Sequence, residues 1–271
     1  MAIKFNELAE KEYYTLRQEI LSAIEGSRHE VYRDSKGIAT IGIGLNLRNK
    51  NIARSVLEAN LTRYKGHKDD DDEIKVEEKD IDAFVAASSG TFKNDAEAQT
   101  AVNGAWKTFA EGKGIVSDTL SLTDKEMETL FMAAAKKRET TLTQHFASNN
   151  KNSAGETVQA AFAEGSYSYE RLAIFSLVYN AGKRLLGENL TAAINDGDRF
   201  KAWFEIRHAS NADTSSGLAK RRYYEAELFG LFNDRGNPTS EEIRHIIETL
   251  PQKVRGSNST YISRISSYEK T

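Results

Sequence analysis

The chain has 271 residues, enough for one large domain or two small ones, and an ordinary soluble composition. It has no cysteine, which excludes disulfides and thiolate metal sites. The formal net charge is −3, so the basic footprint of a nucleic-acid-binding protein is missing. With 2 prolines among abundant Ala, Glu, Lys and Leu, we expect helix to dominate.

The N-terminal segment, MAIKFNELAEKEYY, lacks the apolar core of a secretory signal. No apolar stretch approaches the roughly 18 residues of a membrane span. We therefore expect synthesis in a cytoplasm and no membrane insertion. If the substrate lies outside the membrane, another component must deliver the protein to it.

The first predicted elements are a helix and a short hairpin. Asn6 is the predicted cap of the helix, and Gly26 is a natural place for it to end, close to Glu25. Apolar residues recur along it at multiples of four, as on one helical face (Leu8, Leu16, Ile20 and Ile24). A strand over 31–33, a turn over 34–37 and a returning strand over 38–43 follow.

The middle of the chain is more polar. Residues 51–61 predict a helix, and the acidic run 69–73 predicts a solvated loop. A calcium loop would interleave its ligands and place a glycine at the sharp turn, and this run does neither. We interpret residues 65–121 as an insertion with two short helices.

The C-terminal half is predicted to form a helical core. A capping box at Thr123 opens a helix to about Phe146, and a polar loop over 149–155 follows. The most apolar segment, 169–186, predicts a buried central helix. Further helices are expected over 190–194, 199–206 and 218–232. Another begins after Pro238 and ends before Pro251, and the serine-rich tail from 256 to 271 has few apolar anchors.

The candidate catalytic residues lie between Glu25 and Gly44. Glu25 is expected at a helix end, Asp34 in the hairpin turn and Thr40 on the returning strand, followed by Gly42 and Gly44. Glycines inside a strand predict a bulge or a close approach of the backbone. Two carboxylates and a positioned water are sufficient to cleave a glycosidic bond.

Each of these residues also has an ordinary interpretation. Glu25 taken alone is a surface glutamate ending a helix, Asp34 a turn former and Thr40 a common strand residue. Their joint spacing is the more demanding observation. Eight residues separate the glutamate from the aspartate, and five separate the aspartate from Thr-Ile-Gly-x-Gly.

The segment EGSRHEVYRDSKGIATIGIG closely resembles the catalytic motif of the bacteriophage T4-type lysozymes, glycoside hydrolase family 24. The resemblance implies that Glu25 is a general acid and that Asp34 and Thr40 handle the attacking water, with inversion at the anomeric carbon. It implies an α+β, mostly helical, lysozyme-like fold with two lobes and a cleft between them. The implied activity is hydrolysis of the β-1,4 bond between N-acetylmuramic acid and N-acetylglucosamine in peptidoglycan, without metal or cofactor.

Later segments extend the resemblance to roughly two-thirds of the chain. FSLVYNAG resembles the family's central helix, and GLAKRRYYEAELFGLF resembles the C-terminal region of phage endolysins. We expect substrate contacts from a set of glycines, an amide and arginines: Gly42, Gly44, Asn46, Arg207, Arg221 and Arg222. For the arginines the alternative is a surface cation.

The resemblance divides the chain into four parts. Residues 1–64 form an N-terminal catalytic lobe, 65–121 the insertion, 122–234 the helical C-terminal lobe and 235–271 a last helix and tail. Leu45 and Asn46 stand where many members have a histidine, and small members have no counterpart of 64–121 or of the tail. The chain is also slightly acidic, whereas family lysins tend to be basic.

Two other functions remain open. A lytic transglycosylase would use one acid without a water-binding pair and would release an anhydro sugar. A lysozyme-like fold kept as a wall-binding or virion structural module would bind peptidoglycan without releasing sugar, with the insertion or tail contacting a virion or other protein. The delivery route is equally open: a cytoplasmic endolysin, a virion-associated lysozyme, and a bacterial weapon or prophage product all fit.

Overall fold

The computed structural model describes residues 2–64, 75–148 and 158–256, with the backbone alone at 213 and 251–256. The acidic run 69–73, the loop 149–155 and the tail from 257 lie outside the described residues. Helix makes up 65% of the structure, and one small antiparallel sheet accompanies it. The predicted α+β, mostly helical class is therefore confirmed.

The chain forms two compact units. One is Ile20–Ala134, and the other combines Met1–Glu19 with Ala135–Thr271. Each unit boundary falls inside a helix, one between Glu19 and Ile20 and the other between Ala134 and Ala135. The elements of the first half are α1 (Glu10–Glu25), β1 (Arg28–Arg33), β2 (Ala39–Gly42), β3 (Leu45–Asn46), α2 (Lys50–Thr62), α3 (Glu78–Ser88), α4 (Asp95–Gly112) and α5 (Asp124–Ser148).

The sheet of the first unit has the order β1-β2-β3, with both pairs antiparallel. Thr40 on β2 lies opposite Tyr32 on one side and Asn46 on the other. The predicted hairpin is present, with β1 beginning earlier than expected. The sequence did not predict the short strand β3.

The sheet, α2, α3 and α4 share one hydrophobic core. Val31 and Ile41 from the hairpin are buried together with Phe84 of α3 and Trp106 of α4. The two helices predicted for 65–121 are present, although α4 has 18 residues and is not short. Because a two-stranded hairpin is at best marginal in water, this later segment supplies the apolar surface that the hairpin needs.

The second unit is built around α6 (Tyr169–Ala181), whose residues from Glu170 to Val178 are all buried. A helix buried on every side occupies the middle of a bundle, so the predicted central helix is confirmed, although it ends at Ala181 rather than at Leu186 because Gly182 takes a left-handed conformation. The α-helices that follow it are α7 (Glu188–Asn195), α8 (Arg199–Phe204), α9 (Ser216–Phe229) and α10 (Ser240–Gly256). A π-helical turn, Glu205–Ala209, follows α8 directly.

Two predicted helix boundaries are wrong. Helix α1 begins at Glu10 rather than after Asn6, because Asn6 hydrogen-bonds to the buried Glu170 from both its backbone N–H and its side chain. Helix α10 runs through Pro251 to Gly256. A proline removes one helical hydrogen bond and can kink a helix without ending it.

Candidate active site

Glu25 is the last residue of α1 and is half-buried. The helix ends there because Gly26 takes a left-handed conformation, with φ of +81°. Gly44, also left-handed, faces the Glu25 side chain. A Cβ atom on Gly44 would lie 3.3 Å from Cβ and 3.4 Å from Cγ of Glu25, so a glycine permits this close approach.

The Asp34 carboxylate organises the hairpin turn. Its Oδ1 accepts hydrogen bonds from the backbone N–H groups of Lys36, at 2.8 Å, and of Ile38, at 2.9 Å. The Gly37 N–H donates to the Asp34 carbonyl at 2.9 Å. Oδ2 accepts no hydrogen bond from the residues that the structure describes. One oxygen of Asp34 therefore fixes the turn, while the second remains available to a ligand.

Thr40 is nearly buried, at 3% exposure, and its hydroxyl donates to the Ile38 carbonyl at 3.1 Å. Asp34 and Thr40 thus bind the N–H and the C=O of the same residue, Ile38. Across the sheet, Asn46 is half-buried and its Oδ1 accepts from the Arg48 N–H at 2.9 Å. The hairpin brings the predicted aspartate and threonine together.

Tyr32 is a residue of this region to which the sequence assigned no role. Its hydroxyl donates to the Glu25 carbonyl and accepts from the Gly44 N–H, both at 3.3 Å. Burial raises the pKa of Tyr32 to about 12, and the charges of Glu25 and Asp34 act in the same direction. Both carboxylates therefore lie within electrostatic reach of one hydroxyl. Tyr32 lies near the end of β1, two residues before Asp34, and this nearness to Asp34 is the signal from which the sequence could have indicated it.

The arginines predicted as substrate contacts belong to the second unit. Arg221 and Arg222 on α9 are buried and both form ion pairs with Glu225, Arg221 at 3.0 Å. The Arg221 guanidinium also donates to the Ser176 carbonyl at 3.0 Å. The alternative that these are surface cations is wrong. A contact with substrate stays a prediction for both.

Arg207 lies on the π-helical turn and is 6% exposed. Its guanidinium sits 4.6 Å from the centre of the Tyr223 ring, a cation–π contact. It too is no surface cation. The contact of Arg207 with substrate stays a prediction.

Within the described ranges, no cluster of three or more His, Asp or Glu side chains is placed to hold a metal ion. No helix in that part of the chain is both long and apolar enough to cross a membrane. The chain matches no family model and no curated protein.

Proposed function

We propose that this protein is a peptidoglycan hydrolase that cleaves the β-1,4 bond between N-acetylmuramic acid and N-acetylglucosamine with inversion. One observation carries the proposal: the Tyr32 hydroxyl bonds to the Glu25 carbonyl, and Tyr32 belongs to the hairpin in which Asp34 and Thr40 bond to the N–H and the C=O of Ile38. Two carboxylates and a hydroxyl in one short segment match the requirements of a glycosidase.

In the proposed reaction, Glu25 donates a proton to the glycosidic oxygen as the bond from that oxygen to the anomeric carbon breaks. Water attacks the opposite face of this carbon and gives up a proton to Asp34. The free Oδ2 of Asp34 would accept a hydrogen bond from the water, and the Thr40 hydroxyl would orient it. Inverting glycosidases hold their two carboxyl groups about 6.5–9.5 Å apart, which leaves room for the water between them.

The proposal includes a lysozyme-like fold, and the mostly helical α+β class with a small hairpin sheet is compatible with it. The resemblance of residues 25–44 to the T4-type lysozymes supports the same assignment. We propose a bacterial cytoplasm as the place of synthesis and the cell wall as the place of action. Endolysin and virion lysozyme are both compatible with this route.

A turbidity assay tests the proposal. Purified protein should clear a suspension of exposed peptidoglycan, and Glu25→Gln should abolish clearing because the Gln amide is too weak an acid to protonate the leaving oxygen. Glu12→Gln is the matched control, since Glu12 is an exposed glutamate in the first turn of the same helix. Full clearing by Glu25→Gln would refute the assigned role of this residue.

Mass spectrometry of the released fragments separates the competing reactions. Hydrolysis adds one water to each fragment, whereas a lytic transglycosylase leaves an anhydro sugar lighter by one water. Peptidoglycan that binds the protein and yields no fragments would indicate a binding module. Asp34→Asn should reduce the hydrolytic product, because the amide is a poor base for the attacking water.

A further inference from the structure

Strand β1 lies at the edge of the sheet, and later residues cover its free edge. The His29 carbonyl accepts from the Leu122 N–H at 2.8 Å, and the Val31 carbonyl from the Gln99 side chain at 3.0 Å. The Arg33 N–H donates to Asp95 Oδ1 at 2.9 Å. An uncovered edge would present unpaired N–H and C=O groups to solvent. Here the residues after 75 form hydrogen bonds with three of these backbone groups.

The same segment forms hydrogen bonds with the backbone on both sides of the Asp34 turn. Before the turn, Asp95 accepts the N–H of Arg33, the residue that precedes Asp34. After it, the Phe92 N–H donates to the Gly37 carbonyl at 2.8 Å. Gly37 has φ of +76°, and a Cβ there would lie 2.8 Å from the Thr91 methyl carbon. We call residues 91–95 the clamp.

The clamp is itself fixed at the start of α4. Asn94 caps the helix by accepting the Glu97 N–H at 2.9 Å, and the Glu97 carboxylate accepts the Lys93 N–H at 2.8 Å. Asp95 is the first residue of the helix, where the helix dipole favours a negative charge. The hydrogen bond from Arg33 lowers the pKa of Asp95, and Arg28 forms an ion pair with it at 2.6 Å.

We propose that Asp95 is a positioning residue that holds Asp34 in the orientation required to handle the attacking water. The inference rests on the proposed function and extends it, because it makes the clamp, residues 91–95, a support of the catalytic turn. Asp95 acts on the backbone beside Asp34 and touches no reacting atom. Its loss should therefore lower kcat and leave KM nearly unchanged.

The first test measures the turn without measuring activity. The amide hydrogens of Lys36 and Ile38 are bonded to Asp34 Oδ1, so their exchange with solvent reports how firmly the carboxylate is held. Asp95→Ala should accelerate both exchange rates at least tenfold. Asp95→Asn should stay within about twofold of wild type. Asparagine still accepts the Arg33 N–H, and the lost ion pair is exposed and contributes little.

The matched control is Asp118→Ala. Asp118 belongs to the same segment and pairs with Lys107 at 3.0 Å, but its side chain is 75% exposed. It should change neither the exchange rates nor kcat. A uniform acceleration in every amide of Asp95→Ala would indicate general destabilisation and would overturn the assignment to Asp34.

The second test is a double-mutant cycle in kcat. Asp95→Ala should lower kcat about tenfold in the wild-type background and have no further effect when combined with Asp34→Asn. Equal losses in both backgrounds, or exchange rates like those of Asp118→Ala, would overturn the inference. If the wild type releases no sugar, the proposed function fails, while the exchange rates still decide whether Asp95 positions Asp34.

Discussion

Replacing Gly44 with alanine tests the link between the hairpin and Glu25. Gly44 has φ of +68°, and the left-handed conformation costs a non-glycine residue about 1–2 kcal/mol. The added Cβ would also lie 3.3 Å from Cβ of Glu25 and 3.4 Å from its Oε2. The glutamate must therefore move by a few tenths of an ångström. Since a displacement of about 1 Å can cost roughly a hundredfold in rate, we expect about a tenfold loss of kcat.

Gly165→Ala separates backbone strain from displacement of the carboxylate. Gly165 has φ of +85° and nothing within 4 Å of the added Cβ, and it lies outside the unit Ile20–Ala134. Chemical denaturation should show a similar loss of about 1–2 kcal/mol for both variants. A steady-state assay should show reduced kcat for Gly44→Ala alone. Equal activity of the two variants would refute the reasoning.

Three further predictions concern stability. Burial raises the pKa of Tyr32 to about 12, so the protonated phenol's contribution should be present below pH 10 and lost as pH rises towards 12. The stability difference between wild type and Tyr32→Phe should shrink across that window, and a constant difference would contradict this. Trp106→Ala removes a fully buried ring and should cost about 3–5 kcal/mol in denaturant unfolding, whereas a loss below about 1 kcal/mol would exclude it from the core. Glu225→Gln removes the charge shared by two buried guanidiniums and should cost about 3 kcal/mol or more by the same measurement, with an unchanged midpoint as the contrary result.

Local signals in the sequence predicted much of the fold. The capping box at Thr123 is present: the Glu126 carboxylate accepts the Thr123 N–H at 2.7 Å, and the Thr123 hydroxyl accepts the Glu126 N–H at 3.3 Å. The end of α1 at Glu25 and the turn at Asp34 follow from a neighbouring glycine and from side-chain bonding to the backbone. Each of these features depends on residues within one turn of chain.

Some predictions fail because contacts between residues far apart in the sequence determine the structure. Asn6 fails to cap α1 because its partner, Glu170, is 164 residues away in sequence. The hairpin's core depends on Trp106, which sequence reading placed in an insertion. Arg222 is predicted as a substrate contact, with a surface cation as the alternative, and neither interpretation buries it. Glu225, three residues later on the same helix, is the local signal that could have indicated a buried ion pair.

The most direct test of the central claim is the anomeric configuration of the first sugar released, read by proton NMR before mutarotation. Attack by water held at Asp34 on the face opposite Glu25 predicts the α anomer from the β-1,4 bond, and no product from Glu25→Gln. A β anomer would indicate a retaining reaction, and an anhydro sugar would indicate that no water attacks. Either product would contradict the roles assigned to Asp34 and Thr40.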